Sequence, residues 1–257
     1  MESIKFINEL FERKLVYDAK GKSYPLHSGI TKKEGELIMN IVKSNLFHKT
    51  IEIGCAYGIS SLYICSGTAQ NGKNLHTIID PFQENWHYIG IENLKKAGFT
   101  SFKLIEQLSE IALPQLLEKN EKFDFCFIDG WHTFDHVMID FFYLNRMIEV
   151  GGVIVFHDVD MPSINKLTRY ILNYPSYELI ENVKLDKVKK TFKRKIKETL
   201  ITAPLSVLSK ILPKKNVYEL LSGKIISKDE ELSLDSTMIA IRKIKPDERD
   251  WRWFKDF

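Results

Sequence analysis

The chain has 257 residues, 44% hydrophobic and 28% charged, with a net charge of +3. That length suits one large core with an appendage, and that apolar fraction excludes wholesale disorder. No apolar run approaches the roughly 20 residues of a membrane-spanning helix, and three cysteines without CxxC spacing argue against a disulfide framework or a cysteine zinc site.

The first residues scatter charges among Ile4, Ile7, Leu10, Phe11 and Leu15 at helical spacing. This predicts a helix over 1–18 and not a signal peptide. GKSYPLHSGI is a loop. Thr31 followed by Glu34 is a capping box opening a second helix over 31–44, with Leu37, Ile38 and Ile41 on its apolar face. From residue 50, TIEIG, LHTIID, SFKLI, FDFCFID and GVIVFHD recur about 25 residues apart with helical stretches between them. Strands alternating with helices predict a doubly wound α/β fold, and strands buried on both faces explain the near-continuous apolar runs. YELIENV and STMIAIRKI are two further strands. Cys55, Cys65 and Cys126 are read as small buried hydrophobes in a cytoplasmic protein.

Residues 183–216 hold eleven Lys/Arg and two Asp/Glu, so this segment carries +9 and the rest −6. Val188, Phe192, Ile196 and Leu200 make a narrow apolar stripe among lysines, and Leu205, Leu208, Ile211 and Leu212 follow Pro204. The expected division is an N-terminal helical lid (1–44), an α/β core (45–183 plus 233–257) and a basic amphipathic insertion (184–232). Three surroundings stay open for residues 184–215: solvent, the anionic inner face of a membrane, or a second copy in a homo-oligomer. Nucleic acid is disfavoured, since Phe192 alone offers a ring for stacking. The aromatic C-terminus, DERDWRWFKDF, is expected to dock on the core or on a partner subunit.

Four strand ends carry polar chemistry. After the first core strand come Glu52, Gly54, Gly58 and Ser60, a tight turn opening a helix, with Glu52 offering an acceptor to a cationic group. The GxxxG spacing is not that of dinucleotide binding. Asp80 ends the second strand, 26 residues after Gly54, placed for ribose hydroxyls. Asp129 ends the fourth strand and Asp158 follows the fifth, so the two carboxylates converge on one edge where they can share a hard cation. His132 is close enough to take a proton from a substrate hydroxyl. His157 is either an interior histidine or part of this group.

Taken together, E-x-G-x-x-x-G-x-S, I-D-P-F, F-D-F-x-F-I-D-G-x-H and G-G-V-I-V-F-H-D resemble the class I S-adenosylmethionine-dependent methyltransferases. The likeness is greatest to the small-molecule O-methyltransferase branch, with its macrolide-sugar and catechol-type metal enzymes. It implies a Rossmann-like, seven-stranded, mostly parallel sheet with STMIAIRKI antiparallel. It implies S-adenosyl-L-methionine held by Glu52, Gly54, Tyr57, Gly58, Ser60, Asp80, Ser109, Asp129 and Trp131. It implies Mg2+ or another divalent cation on Asp129, His157 and Asp158, with His157 where relatives often have an acid. Catalysis would fall to His132 and Asp129, on the hydroxyl of a small molecule or glycan. Leu108 stands where an acid often meets the adenine, so the resemblance leaves adenine to backbone groups and Ser109. The competing readings are a macromolecular acceptor and a non-catalytic cofactor-binding scaffold acting through the basic segment. IDGW replaces the [DNS]-P-P-[YFW] motif of base aminomethylation, which counts against nucleic-acid bases.

Overall fold

The structure, a computed structural model, describes residues 2–27, 29–69, 71–184 and 236–255. The insertion read at 184–232 lies, but for Lys184, outside the described residues.

Helix α1 (Glu2–Arg13) buries Ile7 and Leu10. It ends well before residue 18, which corrects the expected boundary. Lys14 takes a φ of 52°, and Leu15–Tyr17 (β1) pairs antiparallel with Ser23–Pro25 (β2). The Asp18 carboxylate makes the turn by accepting from the backbone N–H groups of Lys20 and Lys22. Leu15, read into the helical pattern, is instead the first residue of β1, and Val16 beside it is fully buried. Helix α2 (Lys32–Ser44) starts where the capping box places it, with both halves of the Thr31–Glu34 exchange formed.

Five β–α units follow. They are β3 (Lys49–Ile53), α3 (Ile59–Thr68), β4 (Leu75–Ile79), α4 (Ile89–Lys96), β5 (Phe102–Ile105), α5 (Ser109–Glu118), β6 (Phe123–Ile128), α6 (Phe134–Met147), β7 (Ile148–His157) and α7 (Pro162–Ile171). Strands β8 (Tyr177–Lys184) and β9 (Ser236–Lys243) close the sheet. The order across it is β5-β4-β3-β6-β7-β9-β8, and β9 runs antiparallel to both neighbours, as the resemblance implied.

The pleat sorts side chains between two layers. In β6, Phe125 and Phe127 face the cluster that holds α1–α4, and Cys126 and Ile128 face the cluster that holds α5–α7. All four are buried, each phenylalanine contributing about 1.5–3 kcal/mol. The three cysteines are buried and unpaired, and burial pushes their thiols up. Helices α1 and α2, read as a lid, are built into the first layer. From that stretch Gly29 and Ile30 reach the cavity described below.

At the C-terminus, Trp253 packs edge-on against Tyr174, and the Arg249 guanidinium lies 3.1 Å from the Tyr174 ring centre. Trp251 and Phe254 stay exposed, so the aromatic tail docks only in part. No helix among the described residues is long and apolar enough to cross a membrane.

Candidate active site

Winding changes direction between β3 and β6, so the loops leaving these strands diverge and open a crevice at the carboxyl edge of the sheet. A cavity of about 840 Å³ occupies it, walled by the loops after β3, β4, β5, β6 and β7. Of the expected site residues, Gly54, Ser60, Asp80, Ser109, Asp129, Trp131, His132, His157 and Asp158 line it.

Glu52, Tyr57 and Gly58 do not line it. Glu52 has the opposite pleat parity to Ile53, so its fully buried carboxylate points into the α3 layer, where the Ser61 hydroxyl donates to it. His76 Nε2 lies 3.5 Å from it. Tyr57 is buried, its hydroxyl 3.2 Å from His27 Nε2 and its ring edge-on to Trp86. Gly58 caps α3 with a φ of 76°.

Gly54 sets how closely two loops approach. Its φ is 86°, and a side-chain carbon there would sit 2.1 Å from the Asp129 carbonyl oxygen. Asp80 braces the same turn from below. Its Oδ2 accepts from the N–H groups of Cys55 and Ala56, both at 3.0 Å, and from Gln83 Nε2 at 2.8 Å. Among the described residues its Oδ1 accepts from Phe82 N–H alone, at 2.8 Å, which leaves lone-pair capacity on that oxygen.

Asp129, His132, His157 and Asp158 form one cluster. His132 Nε2 lies 2.8 Å from Asp158 Oδ2 and 3.3 Å from Asp129 Oδ1. His157 Nδ1 lies 3.1 Å from the same Asp129 oxygen and 3.3 Å from the same Asp158 oxygen. The hydrogen bonds to Asp129 and Asp158 raise His132 to about 9. Burial opposes charge on His157, but the same two carboxylates and Glu34 outweigh it and push His157 far up. Burial also opposes charge on Asp158, and the two imidazoles overcome it and hold that carboxyl far down. Ligand atoms of Asp129, His132 and Asp158 all lie within 4.8 Å of one another. Two carboxylates beside imidazole nitrogens are a donor set that fits a divalent cation.

Several participants carried no sequence signal for the site. Trp86, Phe82, Glu110 and His136 also line the cavity. Phe82 and the exposed Trp131 sit 6.4 Å apart at its mouth, the spacing of a shallow aromatic cleft. Glu34, read only as a cap, reaches His157 from behind.

Asp140 of α6 is the other residue missed. It is 1% exposed, and neither carboxylate oxygen has a well-formed hydrogen bond among the described residues. Burial pushes it up to about 7, against smaller help from the Ser109 hydroxyl and His136. A carboxyl raised in the fold binds its proton more tightly folded than unfolded. Its stabilisation is complete below about pH 4 and is lost as pH rises through about 7. Asp140→Asn should therefore unfold in urea like wild type at pH 4–5 and be more stable by about 1–3 kcal/mol at pH 8. Equal stability at both pH values would mean that Asp140 is not held protonated.

A seven-stranded sheet in this order, with β9 antiparallel and the cavity at the switch between β3 and β6, is the class I methyltransferase fold. Residues 51–159, from β3 to just past β7, match the family model described as a methyltransferase domain. Among solved structures, the O-methyltransferase from Bacillus cereus in complex with SAH is 18% identical, with a TM-score of 0.57 over 70% of this chain and 84% of that one. The O-methyltransferase TomG from Streptomyces achromogenes, involved in tomaymycin synthesis and solved with SAM, is 16% identical, with a TM-score of 0.54 over 71% and 83%. SAH-bound PaMTH1 from Podospora anserina is 17% identical, with a TM-score of 0.55 over 70% and 82%. No curated protein matches. The chain therefore has the class I methyltransferase fold, and its residues 51–159 carry the match to a methyltransferase domain.

Proposed function

We propose that the protein transfers the methyl group of S-adenosylmethionine to a hydroxyl of a small molecule or glycan, with His132 as the proton acceptor and a divalent cation at Asp129 and Asp158. The observation that carries this reading is the juxtaposition of His132 Nε2 with both carboxylates at the cavity wall. The solved O-methyltransferases of the same fold support it by analogy.

The sulfonium already carries a good leaving group, so the protein's part is alignment, exclusion of water and removal of one proton. Gly54 lets the β3 and β6 loops close on each other, and Asp80 fixes the turn through Cys55 and Ala56. Asp80 Oδ1 would accept from a ribose hydroxyl. Ser109 and Leu108 line the same cavity, and Trp131 and Phe82 offer it apolar surface. A divalent cation, when bound, supplies positive charge that offsets Asp129 and Asp158 and lowers the pKa of a nearby hydroxyl. His132 is held by the same two acids. Its Nε2 stands at the cavity wall, where it would be placed to take the acceptor's proton.

The test is calorimetric titration with S-adenosylmethionine, followed by a hydroxyl-acceptor screen that detects S-adenosylhomocysteine. Asp80→Ala should weaken cofactor binding about 10- to 100-fold, since it removes charged acceptors worth about 1.5–3 kcal/mol. Undiminished affinity would remove Asp80 from the cofactor site. Products methylated on nitrogen or carbon alone would overturn the O-methyl assignment.

A further inference from the structure

We infer that the cavity selects its acceptor by charge: the hydroxyl compound it takes carries no phosphate or carboxylate, and an amine-bearing acceptor is favoured over a neutral one. The inference rests on the methyl-transfer reading above and names the acceptor class for that same site.

The cavity is walled by the loops at 54–58, 80–88, 106–108, 129–133 and 158–161. None of the chain's 37 lysines and arginines falls in them. Six carboxylates do: Asp80, Glu84, Glu106, Asp129, Asp158 and Asp160. Glu110 and Asp135 add to them from the first turns of α5 and α6. A helix N-terminus favours acids within its first turn, which accounts for Glu110 and Asp135, whereas Glu84 and Glu106 lie in the loops ahead. Among the described residues none of these carboxylates pairs with a lysine or arginine. An acceptor phosphate or carboxylate would shed water here and meet no ammonium or guanidinium among the described lining residues. The imidazoles are already engaged. His132 and His157 face Asp129 and Asp158, and His136 faces Thr133 and Asp135. A divalent cation at Asp129 and Asp158 would offset those two and leave Asp80 and Glu110 on the wall.

Two further observations are independent of the loop acids. Phe82 and Trp131, both exposed, stand at the mouth with ring centres 6.4 Å apart. The face of an aromatic ring attracts an ammonium and repels an anion. Behind the wall, Asp140 is 1% exposed and neither of its oxygens has a hydrogen-bond partner among the described residues. Its Oδ2 lies 3.9 Å from the point where a side chain on Gly130, a lining residue, would begin. Burial, joined by the charge of Glu110, holds its proton against the opposing pull of Ser109 and His136. A cleft of one sign raises the local concentration of oppositely charged ligands about 10- to 1000-fold.

Collisional quenching of Trp131 fluorescence, taken as wild type minus Trp131→Phe, tests the charge at the mouth without turnover. The full chain is used, so the basic residues at 183–216 are present. Relative to N-acetyltryptophanamide at equal ionic strength, caesium should quench Trp131 at least about threefold better than iodide. Ligand-observed NMR on protein loaded with S-adenosylhomocysteine then ranks three probes that share one ring and differ in charge: 3,4-dihydroxybenzylamine, 3,4-dihydroxybenzyl alcohol and 3,4-dihydroxybenzoate. The amine should bind about 10- to 100-fold more tightly than the benzoate, with the alcohol between. Glu84→Gln/Glu106→Gln/Asp160→Asn removes three charges from the rim and keeps an acceptor for the Tyr88 hydroxyl, so it should narrow both ratios at least about twofold. Iodide quenching as well as caesium, or the benzoate binding as tightly as the amine, overturns the inference and leaves methyl transfer standing. So do ratios that the triple variant leaves unchanged. If none of the three probes binds, the quenching ratio decides alone. Failure of wild type to bind S-adenosylmethionine overturns the methyl-transfer reading, and the acceptor inference falls with it.

Discussion

Gly54→Ala should abolish measurable S-adenosylmethionine binding, with at least a hundredfold loss of affinity, and lower stability by several kcal/mol. Two costs combine. A φ of 86° costs an L-residue about 1–2 kcal/mol. The added carbon would also lie 2.1 Å from the Asp129 carbonyl oxygen, 2.8 Å from its carbon and 3.2 Å from Gly130 Cα. These are backbone atoms, so no flexible side chain can yield. The loop after β6 must move, carrying Asp129, Trp131 and His132 with it. Gly98→Ala is the control. It shares a φ of 83° but meets nothing within 4 Å, so it should show only the conformational cost and bind cofactor normally. Calorimetry and urea unfolding of both variants check the expectation. If the two behave alike, the contact between the β3 and β6 loops is not what shapes the pocket.

Asp129→Ala should reduce methyl transfer by a factor of about 100 to 10,000 while cofactor affinity stays within about tenfold. Oδ1 of this residue is where His132 and His157 meet. Removing it leaves Asp158 between the two imidazoles, with Glu34 still behind His157, and removes one of the two acids that could hold a cation. The wall of the pocket survives, because it is the Asp129 backbone that bonds to Ile53 and abuts Gly54. The split between turnover and binding therefore separates a chemical role from a structural one. S-adenosylhomocysteine formation is measured with an acceptor the wild type methylates, beside a cofactor titration. Unchanged turnover would take Asp129 out of the chemistry. An equal loss of cofactor binding would make it a wall residue only.

The site was legible in so far as it depends on strand ends. Parallel strands end on one edge, so Asp80, Asp129 and Asp158 had to be neighbours once their strands were recognised, and they line one cavity. His132 followed from its spacing to Asp129. The capping box at Thr31 and Glu34 was equally plain, because capping is set by residues three apart. The short β1–β2 hairpin was not legible. Its apolar residues extend the helical period of α1, and only the Asp18 turn and the pairing of Leu15–Tyr17 with Ser23–Pro25 separate the two.

The residue sequence by itself determined the alternation of strands and helices, the tight turn at Gly54 and the set of polar groups at the strand ends, because all three are written in short-range spacing. Only the tertiary structure decided which way each polar side chain looks. It turned Glu52 into the α3 layer, buried Asp140 behind Ser109 and set Glu34 of α2 behind His157 of β7. Those placements follow from how layers pack across the sheet. Packing joins residues by distance in space, which the order of the chain does not encode locally.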